Sequence, residues 1–510
     1  MTPSRDSPPA SAETAPLKKC HNCRRRRLRC DRSFPTCHKC SQNGEQCLGY
    51  GKLFRWAQDM PTRGKTAHFP PSKSSAGLAV RRLSSSNPEP GFLNVSWEEA
   101  CPQIPRFVLE PVLQDLSPNC RHYITHFERT LCKDLVSYDR VESNPFRSII
   151  PLIQRFDYLR EIILATSAVH LATLRRSRGQ LTSPELVDAL TSKQRAISLI
   201  RTALSEELDS FRRHTILIAI VFFVNFDLID SGRGGWKAHI EAAGALIQAL
   251  HDSHSPWSGP LTAVTDMVVA DCIAFHILGS TISSRDAATA SGFDKLDVLS
   301  ILRKVEMYSY HGCPPEILEI ILSATRISAN TVRNGKDDDS SINPEDLIQR
   351  ARSFDVYAWA KKIHDVAPFD DLATRTRLAS AHRASACLYI MLAFSGPEHI
   401  RSSQAEDLVS ESLLHLCSVP VSHPLFKGTA WPTFMAGAQT DDPASRELCS
   451  SRLRALYHAT PFICPWGYVE TAILMLQAVW DARDAEISKG QPGTNWLVQL
   501  KSWQFNCLIV

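Results

Sequence analysis

Beyond residue 92, apolar residues recur at three- and four-residue intervals through most of the chain, a rhythm that predicts helices. In RFDYLREIILATSAVHLATL, Leu159, Ile162, Ile163, Ala168, Val169, Leu171 and Ala172 keep helical spacing. Further amphipathic stretches cover residues 236–250, 301–327 and 378–394. Ser183-Pro184-Glu185, echoed by Asn343-Pro344-Glu345, places a capping side chain before a proline at the first helical position. Evenly spaced period-2 strands joined by hairpin turns are not evident. Residues 92–510 are therefore predicted to be a large all-α domain, long enough to bury one core or two closely packed subdomains. The longest apolar run, residues 216–224, falls short of the about 20 residues that a bilayer requires. It reads as a buried core helix, and no membrane partner is expected.

Upstream the rhythm stops. Residues 61–90 are rich in Pro and Ser and carry no apolar period, which is the composition of a linker, assigned here to residues 51–91. Leu48, Leu53, Phe54, Trp56 and Met60 keep no a/d register, and Pro61 would interrupt a helix, so no coiled coil is predicted after the cysteines. Residues 1–17 are polar and Pro/Ser-rich, a disordered tail without the apolar core of a secretory signal. Residues 18–50 remain, and they belong to neither pattern.

That segment holds six cysteines in the order C-x2-C-x6-C-x6-C-x2-C-x6-C: Cys20, Cys23 and Cys30, then Cys37, Cys40 and Cys47. One half-motif occurs twice. Zinc takes four ligands in a tetrahedron, and an x2 gap lets two thiolates reach one ion from a single turn. Six thiolates cannot fill two separate tetrahedra, so two zinc ions require two shared ligands. The equivalent first cysteines of the halves, Cys20 and Cys37, are the natural bridging pair. His21 and His38 sit inside the x2 gaps and do not have ligand spacing. A disulfide framework is the competing reading, disfavoured because no export signal points to an oxidising compartment.

Charge adds a direction. Residues 18–55 carry eleven Lys and Arg against Asp31 and Glu45, a local net of +9 in a chain whose total is only +4. The run Arg24, Arg25, Arg26, Arg27, Leu28, Arg29 lies within the first half-motif, with Lys18, Lys19 and Arg32 beside it. A basic patch fixed on a metal-held module is the electrostatic footprint of a phosphate-backbone binder, and the same patch suits nuclear import.

The cysteine spacing resembles the fungal six-cysteine binuclear zinc cluster at all five intervals. The resemblance implies two short helices with loops, two zinc ions bridged at the positions of Cys20 and Cys37, and double-stranded DNA as partner. In that family the helix after the second cysteine presents its end to the major groove, and the residue four positions after that cysteine reads a G-rich triplet. Here that residue is Arg27, where most relatives carry Lys; arginine bonds bidentately to guanine O6 and N7. Arg24, Arg26 and Arg29, with Lys18 and Lys19, are then phosphate contacts. Pro35, two residues before Cys37 as in the family, stiffens the loop between the halves.

The helical half is similar in its landmarks to the fungal-specific regulatory domain that follows such clusters. NPFRSIIPLI with LATSAVHLA, the Trp236-Lys237-Ala238-His239-Ile240 segment continuing into AGALI, and AWPTFMAGAQTDDPASRE around Trp431 occur in that order. That domain implies regulation: masking, a co-regulator or small-molecule effector, and homodimer formation.

An enzyme is not expected. The sequence lacks G-x-S-x-G, a Walker loop, H-E-x-x-H and G-x-G-x-x-G. Gly232-Arg233-Gly234-Gly235 follows an apolar helix rather than a strand and reads as a turn. His239 has no second ligand at i+3 or i+4 and reads as a core histidine. The other ten cysteines, Cys272, Cys387 and Cys464 among them, read as small buried apolar residues. Lys336-Asp337-Asp338-Asp339 reads as a solvated loop in preference to an acidic activation patch. The sequence, with the resemblance, thus predicts a nuclear, sequence-specific DNA-binding transcription factor that regulates RNA polymerase II transcription from a CGG-like half-site, with a pathway-specific range in nutrient use or secondary metabolism. The competing reading is a zinc-cluster protein that binds a protein partner, or nucleic acid without sequence preference.

Overall fold

The computed structural model describes residues 19–33, 37–43, 47, 115–180, 183–206, 208–252, 261–283, 292–334, 343–395, 402–458, 465–490, 493–503 and 505–510. The predicted tail, the linker, Lys18, Pro35, Cys101, Cys464 and the stretch 336–339 lie outside the described residues. The chain divides into two compact units, Met1–Ala100 and Cys101–Val510. Among the described residues the secondary structure is entirely helical.

In the first unit, α1 (His21–Arg25) and α2 (His38–Gln42) are five-residue helices. Their N-caps are Cys20 and Cys37, so each half-motif begins its helix with its first cysteine.

In the second unit, α3 (Pro118–His126) runs through a π-helical turn (Phe127–Leu131) into α4 (Cys132–Asp134), and a 3₁₀ helix (Pro145–Leu152) leads to α5 (Asp157–Ser177). Next come α6 (Pro184–Leu204), α7 (Ser210–Asp230), α8 (Trp236–Asp252), α9 (Thr262–Ile282), α10 (Val298–Val305), α11 (Pro315–Asn334), α12 (Pro344–Ser353) and α13 (Val356–Val366). The unit continues with α14 (Leu372–Phe394), α15 (Ser403–Cys417), a 3₁₀ helix (Pro424–Thr429), α16 (Ala430–Gln439), α17 (Pro443–Tyr457), α18 (Tyr468–Ser488) and α19 (Trp496–Ser502).

Capping chemistry sets many of the starts. Asp209, Asp297, Asp355, Asp371 and Asp442 each accept a backbone N–H of the first turn they precede. Asn343 caps α12 ahead of Pro344, as the sequence signature requires. Ser183 occupies the same position before α6, but its hydroxyl turns to the Glu185 carboxylate instead of the backbone.

Helices α7, α9 and α14 form the interior. α5 packs on α6 and α7, α7 on α8 and α9, α14 on α11, α12, α15 and α16, and α16 on α17 and α18. An apolar helix buried on every side loses its amphipathic stripe. This corrects the expectation for residues 378–394: α14 is buried almost all round, and Ala379, Ala381, Ala384, Ser385 and Ala386 let its neighbours approach closely. The stretch 301–327 is two helices. α10 ends at Val305, Gly312 turns the chain at a φ of +62°, and Pro315 opens α11 at the first helical position, where its missing N–H costs nothing. Among the described residues, the helix with the length and apolarity to cross a bilayer is α9, which the reading of residues 216–224 passed over; 83% of its most apolar window is buried inside the domain.

The two tryptophans noted as landmarks are core residues. Trp431 is fully buried, donates to the Thr281 hydroxyl at 3.1 Å and stacks on His382. Trp236 covers Gly279 so closely that a Cβ there would lie 2.4 Å from its ring. Gly279→Ala is accordingly expected to destabilise the domain by about 1–3 kcal/mol through overpacking, read as a lower urea midpoint. Of the later cysteines, Cys132, Cys272, Cys313, Cys387, Cys449 and Cys507 are buried as expected, whereas Cys417 is exposed. His239 is stacked on Phe223, with its Nε2 3.8 Å from the Asp227 carboxylate.

Candidate metal centre and nucleic-acid interface

The six cysteines converge. Two sets of four, Cys20, Cys23, Cys30, Cys37 and Cys20, Cys37, Cys40, Cys47, each hold their sulfur atoms within 4.8 Å of one another, and Cys20 and Cys37 belong to both. The Sγ atoms of Cys20 and Cys37 are 3.5 Å apart, Cys20 and Cys40 3.8 Å, and Cys23 and Cys37 3.7 Å. A tetrahedron with zinc–sulfur bonds of ~2.3 Å has edges of about 3.8 Å. The sulfurs therefore stand at the corners of two tetrahedra that share an edge, which is the donor set two zinc ions require.

The backbone supports this placement. The Cys23 N–H donates to Cys20 Sγ and the Cys40 N–H to Cys37 Sγ, each at 3.4 Å, so the shared sulfurs sit at the positive ends of the two short helices. The Cys20 N–H donates to Cys30 Sγ at 3.4 Å. Burial pushes the Cys20, Cys23 and Cys40 thiols up, Cys40 to about 12. Burial also works to raise Cys30, but the N–H groups of Cys20 and Arg32 outweigh it and bring that thiol to about 7. Thiols held up in this way ionise when a divalent cation replaces their protons.

Asp31 is the site residue that sequence reasoning missed. Its carboxylate accepts the N–H of His38 at 3.0 Å and of Lys39 at 3.4 Å, and it takes the Ser33 hydroxyl, so it ties the end of the first half to the first turn of α2. Those bonds, led by Ser33 and then His38, hold its carboxyl below the usual range. An Asp directly after the third cysteine with a Ser two positions on was the available signal. Asp31→Ala is expected to loosen the module, seen as faster zinc release to a chelator, with Asp31→Asn intermediate.

The basic run is presented outward: Arg24, Arg26, Arg27 and Arg29 are exposed, as is Lys19. Arg27 sits in the left-handed region, with a φ of +57°. Leu28 N–H bonds to the Cys23 carbonyl at 2.9 Å and Arg27 N–H to the Arg24 carbonyl at 3.3 Å. This is the helix-ending pattern that usually selects glycine. An arginine there costs about 1–2 kcal/mol, and Arg32 shares the left-handed conformation at a φ of +63°.

Two family models match. Residues 18–57 match the fungal Zn(2)-Cys(6) binuclear cluster domain, and residues 122–507 match the fungal specific transcription factor domain. The chain belongs to the fungal transcription factors built from these two domains, a class that binds two zinc ions through its cluster. Both are transcription-factor domains rather than enzyme domains. Within that class it is similar to the acriflavine sensitivity control protein acr-2 of Neurospora crassa, with 37% identity across 98% of this chain and 98% of that protein. No solved structure matches.

Proposed function

We propose that this transcription factor acts in the nucleus as a sequence-specific regulator. Cys20, Cys23, Cys30, Cys37, Cys40 and Cys47 hold its two zinc ions, with Cys20 and Cys37 bridging. Arg27 reads guanine in a CGG-like half-site, while Arg24, Arg26 and Arg29, with Lys18 and Lys19, contact phosphates. The observation that carries this reading is the set of exposed arginines Arg24, Arg26, Arg27 and Arg29 beside the metal-binding cysteines, with Arg27 held at a φ of +57°. The relative's name supports a role in controlling sensitivity to acriflavine.

Site selection from random duplexes by the full-length protein is expected to return a guanine-containing triplet. Recovery of no motif would favour the competing reading of a protein partner or nonspecific binding. Arg27→Ala should cost about 1–3 kcal/mol on the selected site and relax base choice there, whereas Arg24→Ala should weaken all sequences alike and lower the salt slope by roughly one. Arg27→Gly separates fold from function: it should leave the module as stable or more so by about 1 kcal/mol while losing the preferred site. We also propose that two copies pair through the helical domain, which analytical ultracentrifugation of the full chain tests directly.

A further inference from the structure

Within the helical domain a cavity of about 30 Å³ lies among α4, the segment before α11, the 3₁₀ helix Pro424–Thr429, α17 and the start of α18. Three of its walls are aromatic. The rings of Tyr310 and Trp466 have centroids 6.2 Å apart, and those of Trp466 and Tyr468 are 6.4 Å apart at 83°. Asp134, only 5% exposed, also lines it; its carboxylate accepts the Trp466 indole N–H at 3.4 Å and stands 3.5 Å from Nε2 of the fully buried His170. Nδ1 of His170 is in turn bonded to Nε2 of His126 at 2.8 Å, which fixes the ring behind the carboxylate.

Two facts indicate what the cavity takes. The Tyr310 hydroxyl is buried, with the residue 4% exposed, and has no hydrogen-bond partner among the described residues, an unfavourable arrangement that a guest would relieve. The surroundings are also electronegative. Ring faces carry negative quadrupole charge, and Asp134 supplies a carboxylate in the lining. Lys427 also lines the cavity, and its ammonium donates to the Lys133 carbonyl at 2.9 Å. The volume suits a group the size of a water or two and excludes an aromatic ring.

We propose that this cavity binds the ammonium head of a primary alkylamine, with the charge against Asp134 and the faces of Trp466 and Tyr468, and one N–H donated to the Tyr310 hydroxyl. The combination of a carboxylate with aromatic walls is the chemistry that recognises organic cations. The site lies wholly in the helical domain and gives it a place for an effector.

Titration calorimetry of the zinc-loaded full chain with butylammonium chloride tests it, with butan-1-ol as the neutral isostere and butyrate as the anionic one. Saturable binding of the amine is expected, with both isosteres about tenfold weaker or more. Asp134→Asn should weaken the amine about tenfold and Tyr310→Phe by a smaller factor, each with wild-type circular dichroism, while Lys427→Met should tighten it by removing a like charge. No saturable heat, or equal affinity for butanol, would reduce the cavity to a water site and overturn the proposal. Preference for butyrate, lost in Lys427→Met, would overturn it in favour of an anion.

Discussion

Replacing Cys20 by alanine is expected to strip both zinc ions from the protein, although only one of six cysteines is lost. The sulfur of Cys20 belongs to both groups of four, 3.5 Å from its counterpart Cys37, so its removal leaves each ion with three protein ligands and removes the N-cap of α1. With helices of five residues and, among the described residues, a hydrophobic cluster made of the cysteines themselves, the module depends chiefly on metal, and Asp31 ties its halves together. A structural zinc contributes about 10–16 kcal/mol in such small modules. Native mass spectrometry should therefore find two zinc ions in the wild type and close to none in Cys20→Ala or Cys37→Ala. Cys23→Ala should retain one, because the set Cys20, Cys37, Cys40 and Cys47 stays whole. Cys272→Ala, deep in the helical domain, should retain two. One zinc held firmly by Cys20→Ala would show that the sulfurs do not bridge. Specific DNA binding should disappear with the metal, since the arginine run is aimed by the backbone between Cys23 and Cys30.

The cysteine spacing made the metal centre legible because ligand geometry is a local constraint written into sequence intervals. The same holds for Asn343-Pro344, where the cap depends on neighbours in the chain. What could not be read depended on distant contacts. Asp31 looked like a stray acid in a basic segment, and its importance comes from His38 and Lys39 across the loop. Periodicity found the helix at α5 through the spacing of its large apolar residues, although residues 162–170 are buried on every side, and it misjudged α14, where a helix enclosed on all sides has no polar face to mark it. Trp236 and Trp431 stood out as motif positions, but their contacts with Gly279 and His382 are interior packing. Nothing near Asp134 in the sequence announces Tyr310 or Trp466, which reach the cavity from far along the chain.

The largest effect expected in the helical domain comes from one buried ion pair. Arg375 and Asp370 are 0% and 1% exposed; the guanidinium Nε donates to the carboxylate at 2.7 Å, and a second nitrogen reaches the same oxygen. That second nitrogen also donates to the Met307 carbonyl at 3.4 Å, and the Trp359 ring lies 5.7 Å from the guanidinium carbon. The next residue, Asp371, caps α14 and donates its own N–H to the Tyr138 hydroxyl at 3.1 Å. The pair thus pins the entry to α14 against two other segments of the chain. Asp370→Ala leaves a guanidinium buried without its counter-charge, and removal of one partner from such a pair costs about 3–5 kcal/mol. Replacing both, as Asp370→Leu with Arg375→Met, removes the charges together and should return most of that loss, because desolvation of the pair offsets much of its attraction. Urea unfolding of the full chain followed by far-UV circular dichroism measures the cycle. A cost below about 1 kcal/mol for Asp370→Ala would mean that water reaches the guanidinium. A double variant as unstable as the single ones would mean that the pair holds α14 by its geometry rather than by charge balance.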